Sequence, residues 1–205
     1  MPDPAILPLI LASRSEARAG MLRAAGVSVE VFPAAVDETA IKEGLLAEGA
    51  PPRDVADTLA DLKARRVAVR TQGRGLRVLG ADQVLVSEGR FFDKPASVGE
   101  ARDQLARLRG RTHELLSAAV IYEDGTPVWR HIGKATLRMR PFSDAFLDHY
   151  VAGQGAALLS TVGAYRLEAE GAQLFSHVQG DYFTILGLPL LEVLGFLRSR
   201  GMLIE

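Results

Sequence analysis

No cysteine occurs anywhere in the 205 residues, which excludes disulfides, thiolate zinc sites and a cysteine nucleophile. Aromatic residues are few, at 6%, and the formal net charge is only −1, so no global basic field draws in nucleic acid and none is expected as a partner. An anionic substrate must instead be met by local cations, backbone amides or metal. No apolar run is long enough to span a bilayer, so no membrane partner is expected. The first residues, MPDPAILPLILAS, are apolar but lack a basic region and are interrupted by Pro8, which makes a poor signal peptide; the expected location is the cytoplasm. What is present is ordinary for a globular chain, with 48% hydrophobic and 24% charged residues, and argues against disorder. The length suits one large domain or two lobes around a shared sheet.

The most informative stretch is VLGADQVLVSEGRFFDKP, Val78 to Pro95. Its apolar, β-branched runs read as a buried strand, interrupted by Gly80-Ala81-Asp82-Gln83. A carboxylate in such a run is costly without a partner. Ser87-Glu88-Gly89 supplies turn chemistry, and Lys94 returns beside a proline. Asp82 and Lys94 are compatible with a structural ion pair at a sheet edge and equally with catalysis.

Around this stretch the chain alternates strand and helix. Ile6 to Ala12 reads as a first strand. Ser13 and Glu16 have capping-box spacing, with the helix continuing from Ala19 to Ala25 and closing at Gly26. A strand running into a capped helix presents free amides and a positive dipole end, a place for a phosphate with Arg18 one turn in; a plain surface cap has the same pattern. Val27 to Phe32 reads as the second strand. Asp37 and Glu38 follow it, suited to a hard cation such as Mg²⁺ or to capping the helix from Thr39 to Ala47. A helix from Pro51-Pro52 through Arg70 carries Leu59, Lys63 and Val67 on one row, where the lysine either snorkels to water or points into a cleft. Ser97 and Glu100 box the next helix, which Gly110 stops. Glu114 to Tyr122 and Trp129 to Met139 form a hairpin about Glu123-Asp124-Gly125. His113 reads as a satisfied strand residue, since no second histidine stands at metal spacing. Phe142 to Val151 is a helix capped by Ser143. Gly163-Ala164-Tyr165 opens a strand-like segment containing Glu168, and Gln173 to Gln179 is another strand. A helix with proline in its first turn runs from Gly187 to Arg200. The sum is α/β with a mixed sheet.

These stretches, taken in order, resemble the Maf family of nucleoside triphosphate pyrophosphatases, also called septum formation inhibitor-like proteins. The resemblance lies in LILASRSEAR, VDE at 36–38, Lys63 before alanine, GADQV at 80–84, DKP at 93–95, GRTHE at 110–114, GAY at 163–165 and GLPL at 187–190. Each motif is short, but their order and spacing over nearly the whole chain are specific. The resemblance implies one Maf-like domain over residues 1–205. Its expected fold is an elongated mixed sheet flanked by helices, two lobes about a cleft, similar to inosine triphosphate pyrophosphatase, with a homodimer among the expected assemblies. It implies hydrolysis of a nucleoside triphosphate to the monophosphate and pyrophosphate with a divalent cation, Mg²⁺ or Mn²⁺. Asp82 matches the proton acceptor; Ser13, Arg18, Glu38, Lys63 and Lys94 match the polar positions lining the family's cleft. A triphosphate repels a nucleophile, so Arg18, Lys63, Lys94 and the first helix N-terminus would neutralise it, with metal near Glu38 and Asp82.

Base preference follows three further positions. Gln83 and Glu168 are similar to those of the 7-methyl-GTP enzymes of the family, where dTTP and UTP enzymes carry Thr and Gln. A carboxylate suits the N1–H and amine donors of guanine and the positive charge of a 7-methylated base. The third position is Ala17, where one group has Trp and the other Arg, and Glu16 replaces the usual proline. A dTTP/UTP enzyme of the same family and a non-catalytic nucleotide-binding regulator of division are the competing readings; retention of Asp82, Lys63 and Lys94 favours catalysis.

Overall fold

Leu9, Ile10 and Leu11 carry no polar side chain and are buried, and they form the short strand β1 (Leu9–Leu11), covered on both faces. It lies between β2 (Val29–Val31) and β3 (Arg77–Ser87) and is parallel to both, with Leu9 opposite Val29 on one side and Arg77 on the other. This computed structural model describes residues 7–204; Ile6, the expected start of the first strand, lies outside the described residues. The strands follow the order β2-β1-β3-β5-β6-β7, with β4 on β3, and the architecture is mixed α/β. No helix among the described residues is long and apolar enough to cross a membrane.

The chain divides into two compact units. The first comprises Met1–Asp82, Ser117–Gly133 and Gly187–Glu205. In it, β1 and β2 are joined through α1 (Glu16–Ala24). Helix α2 (Glu38–Ala47) precedes α3 (Pro52–Thr71), whose buried row, Val55, Leu59, Lys63 and Val67, includes the lysine. The GADQ sequence does not interrupt β3, which runs through it. Gly80 explains why: a Cβ there would stand 2.1 Å from the Ala60 carbonyl oxygen and 2.6 Å from the Ala64 nitrogen. The missing side chain lets the α3 backbone press against the strand. The C-terminal helix α7 (Leu190–Ser199) buries Leu190, Val193 and Leu197, with Pro189 at its N-cap.

The second unit comprises Gln83–Leu116 and Lys134–Leu186. The end of β3 pairs antiparallel with β4 (Arg90–Phe92) across Glu88 and Gly89, whose φ values of 50° and 77° are those a two-residue primed turn requires. The expected hairpin of β5 (Thr112–Glu123) and β6 (Thr126–Met139) forms, slightly longer at both ends, about Asp124 and Gly125; residues 117–133 with the turn belong to the first unit and the open end to the second. Helix α4 (Val98–Leu108) is capped by Ser97 and α5 (Asp144–Gln154) by Ser143, as their sequences predict. Leu85, Leu105, Leu108, Leu137, Met139 and Leu147 lie in the core of this unit. The short helix α6 (Tyr182–Ile185) ends the unit after β7 (Phe175–Gln179), which pairs antiparallel with β6. One expectation fails here: Gly163 to Glu168 is not a strand. Gly163 at φ 76° and Ala164 at φ 57° are left-handed, and 3₁₀ turns at Val162–Ala164 and Glu170–Leu174 flank the segment. Two successive left-handed residues cannot continue a pleat.

Candidate active site

β1 ends at Leu11, and four residues carry the chain from the sheet into α1. The helix is capped by Ser15, whose Oγ accepts from the Arg18 N–H at 3.3 Å, and not by Ser13 as its spacing to Glu16 suggests. Ser13 Oγ has other work: it accepts from the Ser15 N–H and from Arg18 Nη1, both at 3.2 Å. Arg18 is buried, with Nε donating to the Gly187 carbonyl at 2.7 Å and Nη1 to the Ala81 carbonyl at 2.9 Å. One guanidinium thus ties the first helix to β3 beside Asp82 and to the GLPL segment before α7.

From the opposite direction, α3 delivers Lys63, only 6% exposed. Its Nζ donates to Asp82 Oδ1 at 2.6 Å and to Glu38 Oε2 at 2.7 Å. The lysine therefore does not snorkel to water. Asp37 and Glu38, adjacent in sequence, separate in function: Asp37 Oδ1 caps α2 through the Ala40 N–H, and Glu38 turns to Lys63.

Asp82 is the chemical centre of this arrangement. Burial pushes its carboxyl above the usual carboxylate range, while the Lys63 ammonium and then the Arg18 guanidinium pull it back without cancelling the rise. A carboxylate kept more basic than usual, beside two buried cations, can take a proton from water next to an anionic substrate. Two carboxylates, Glu38 and Asp82, converge on one ammonium, and no group of three or more histidine or acidic ligands is gathered among the described residues. That donor set fits a hard cation of the Mg²⁺ type, which takes one or two carboxylates and completes its shell with water and substrate phosphates.

The other expected site residues each have their own surroundings. Lys94 is exposed in the segment between β4 and α4 of the second unit. Ala17 is exposed in the first turn of α1. Gln83 is half-buried, and its Nε2 donates to the carbonyls of Thr184 and Ile185, both at 3.1 Å. Glu168 lies in a turn of the second unit, with Oε1 accepting from Arg166 Nε at 2.9 Å. Reading the sequence did not find the Gly187 and Ala81 carbonyls that hold Arg18, since any residue supplies a carbonyl. Gly80 did carry a signal, because glycine inside a strand marks close backbone approach.

A family model described as Maf-like protein matches residues 8–200. A nucleoside triphosphate pyrophosphatase of Caulobacter vibrioides is 52% identical over 198 residues, covering 97% of this chain and 98% of that protein. One from Roseobacter denitrificans is 55% identical over 194 residues, covering 95% of this chain and 96% of that protein. Among solved structures, a nucleoside-triphosphatase, dITP/XTP pyrophosphatase, of Mycobacterium abscessus aligns over 96% of both chains at 17% identity, with a TM-score of 0.43.

Proposed function

Since the chain belongs to the family of Maf-like proteins, we propose that it is a nucleoside triphosphate pyrophosphatase, releasing pyrophosphate and a nucleoside monophosphate. The observation that carries the reading is the buried Asp82 carboxylate bonded to Lys63, with Glu38 on the same ammonium and the buried Arg18 guanidinium as a second nearby positive charge. The family model runs through both units, which supports one Maf-like domain over the chain. A cytoplasmic location and a homodimer belong to the same reading.

Asp82 orients the attacking water and takes its proton as the water adds to the α-phosphorus; the bond from that phosphorus to the bridging oxygen breaks and pyrophosphate leaves. Lys63 keeps Asp82 ionised and, with Arg18 and Lys94, offsets the charge that grows on the departing pyrophosphate. Ser13 keeps the Arg18 guanidinium in place and offers its hydroxyl to a phosphate oxygen. Glu38 and Asp82 would hold Mg²⁺ or Mn²⁺, which supplies further neutralisation of the triphosphate.

The substrate is a 7-methyl-GTP-like nucleotide. Glu168 supports this, as a carboxylate that accepts from the donors of guanine and favours a positively charged base. Gln83, whose amide is committed to the carbonyls at 184 and 185, shapes the neighbouring backbone. Ala17 puts a small, exposed side chain at the third position. The test is a panel of 7-methyl-GTP, GTP, dTTP and UTP with Mg²⁺ or Mn²⁺, following pyrophosphate and monophosphate. Stoichiometric release of both, highest with 7-methyl-GTP, is expected. Tight binding of the panel without turnover would instead make the protein a nucleotide-sensing regulator.

A further inference from the structure

Two buried polar residues of the second unit take no part in the reaction above. His113 on β5 is 1% exposed, and its Nε2 shares a hydrogen bond with the Tyr165 hydroxyl at 2.8 Å. The two rings are 5.5 Å apart, and Phe175 closes the other side, 5.9 Å from the His113 ring and 4.9 Å edge-on from that of Tyr165. A bond buried this deeply is hard to give up, because losing either partner leaves the other desolvated and unpaired.

The backbone on both sides of Tyr165 is equally constrained. Gly163 sits at φ 76°, and a Cβ there would stand 2.5 Å from Leu85 Cδ1. Leu85 lies on β3, three residues beyond Asp82. After Tyr165 the chain closes into a turn, with the Ala169 N–H donating to the Arg166 carbonyl at 3.2 Å. A Cβ on Gly171 would stand 2.4 Å from that same oxygen. Within this segment Glu168 is exposed, braced by Arg166.

We propose that His113 and Tyr165 are positioning residues for base selection: their bond and rings anchor the turn that presents Glu168. This rests on the reading of Glu168 as the carboxylate that meets the base. The physical reason is that an acceptor discriminates between bases only if it cannot swing to suit the wrong one. The close approach of Leu85 to Gly163 holds the same turn against the second unit's part of β3.

The test compares Tyr165→Phe, His113→Leu, His113→Gln and Glu168→Gln, measuring kcat and KM for 7-methyl-GTP and dTTP, with circular dichroism to verify folding. Tyr165→Phe and His113→Leu are expected to lower the ratio of kcat/KM between the two nucleotides by about tenfold, the worth of one hydrogen bond. The change should fall in KM for 7-methyl-GTP, leaving kcat nearly unchanged. His113→Gln, which returns a polar atom near the place of Nε2, should recover part of the ratio. A Glu168→Gln variant with unaltered ratio removes the base-reading role itself and the positioning role with it. If Glu168→Gln moves the ratio while folded Tyr165→Phe and His113→Leu do not, the positioning role alone is wrong. Parallel loss of kcat and affinity for both nucleotides would make the pair purely structural and overturn the proposal.

Discussion

Replacing Lys63 by methionine probes the candidate site most directly, because it keeps the bulk of the stem and deletes the charge shared by Asp82 and Glu38. Glu38 loses little, since its side chain is 52% exposed and water takes over. Asp82 loses the larger of the two cationic influences that oppose its desolvation, so its carboxyl rises further. Removing one partner of a buried pair costs about 3–5 kcal/mol, which in a chain of this length is roughly 6 to 20 °C of Tm. The loss depends on pH in a definite sense. A carboxyl whose pKa is higher in the fold than in the unfolded chain binds its proton more tightly when folded. Its contribution to stability is whole below the unfolded value near ~4 and is lost as pH climbs through the folded value. Lys63→Met extends that loss further up the pH scale. Thermal melts of the two proteins should therefore converge toward about pH 4 and separate toward neutrality. The acid limb of the pyrophosphate-release profile should also move to higher pH, because Asp82 must be ionised to accept a proton. A constant gap between the melts at every pH, with an unmoved acid limb, would refute the reasoning.

Asp82→Asn should reduce turnover by roughly 10²–10⁴-fold with little change in KM; near-normal steady-state rates in a folded variant would remove Asp82 from its role. Gly80→Ala places a methyl group 2.1 Å from the Ala60 carbonyl oxygen, so α3 must move away from β3. A cost of about 1–3 kcal/mol and a parallel drop in turnover are expected as Lys63 is drawn off Asp82, read by calorimetry and steady-state assay; unchanged values would show that the helix yields elsewhere. Burial drives the His113 imidazole down to about 4. Because its folded value lies below the unfolded one, stability is lost as pH falls from ~6.5 toward the folded value, by about 3 kcal/mol in all. An NMR titration of the folded protein in which His113 takes up a proton near its ordinary value would contradict this.

The local chemistry of the chain was legible where one short segment decided the outcome. Ser97 and Ser143 cap their helices, and Asp124-Gly125 turns the hairpin, because each needs only its own neighbours. Caps and turns failed to read through where more than the motif's own spacing decided. Ser13 has the spacing of a cap, yet Arg18 takes its hydroxyl and Ser15 caps the helix instead. The stretch from Gly163 to Glu168 reads as strand-like, but Gly163 and Ala164 take left-handed backbone and the chain turns there.

By itself the sequence determined the α/β class, the helices and strands of the core, and the residue types from which an acid-and-cation site could be built. Those follow from spacing, since apolar period and capping chemistry are properties of neighbours along the chain. Only the tertiary structure decided that Lys63 joins Glu38 to Asp82 and that Arg18 spans Ser13, Ala81 and Gly187. The basicity of Asp82 likewise comes from how deeply the fold buries it and which cations it brings near, and burial is a property of packing that no local pattern contains.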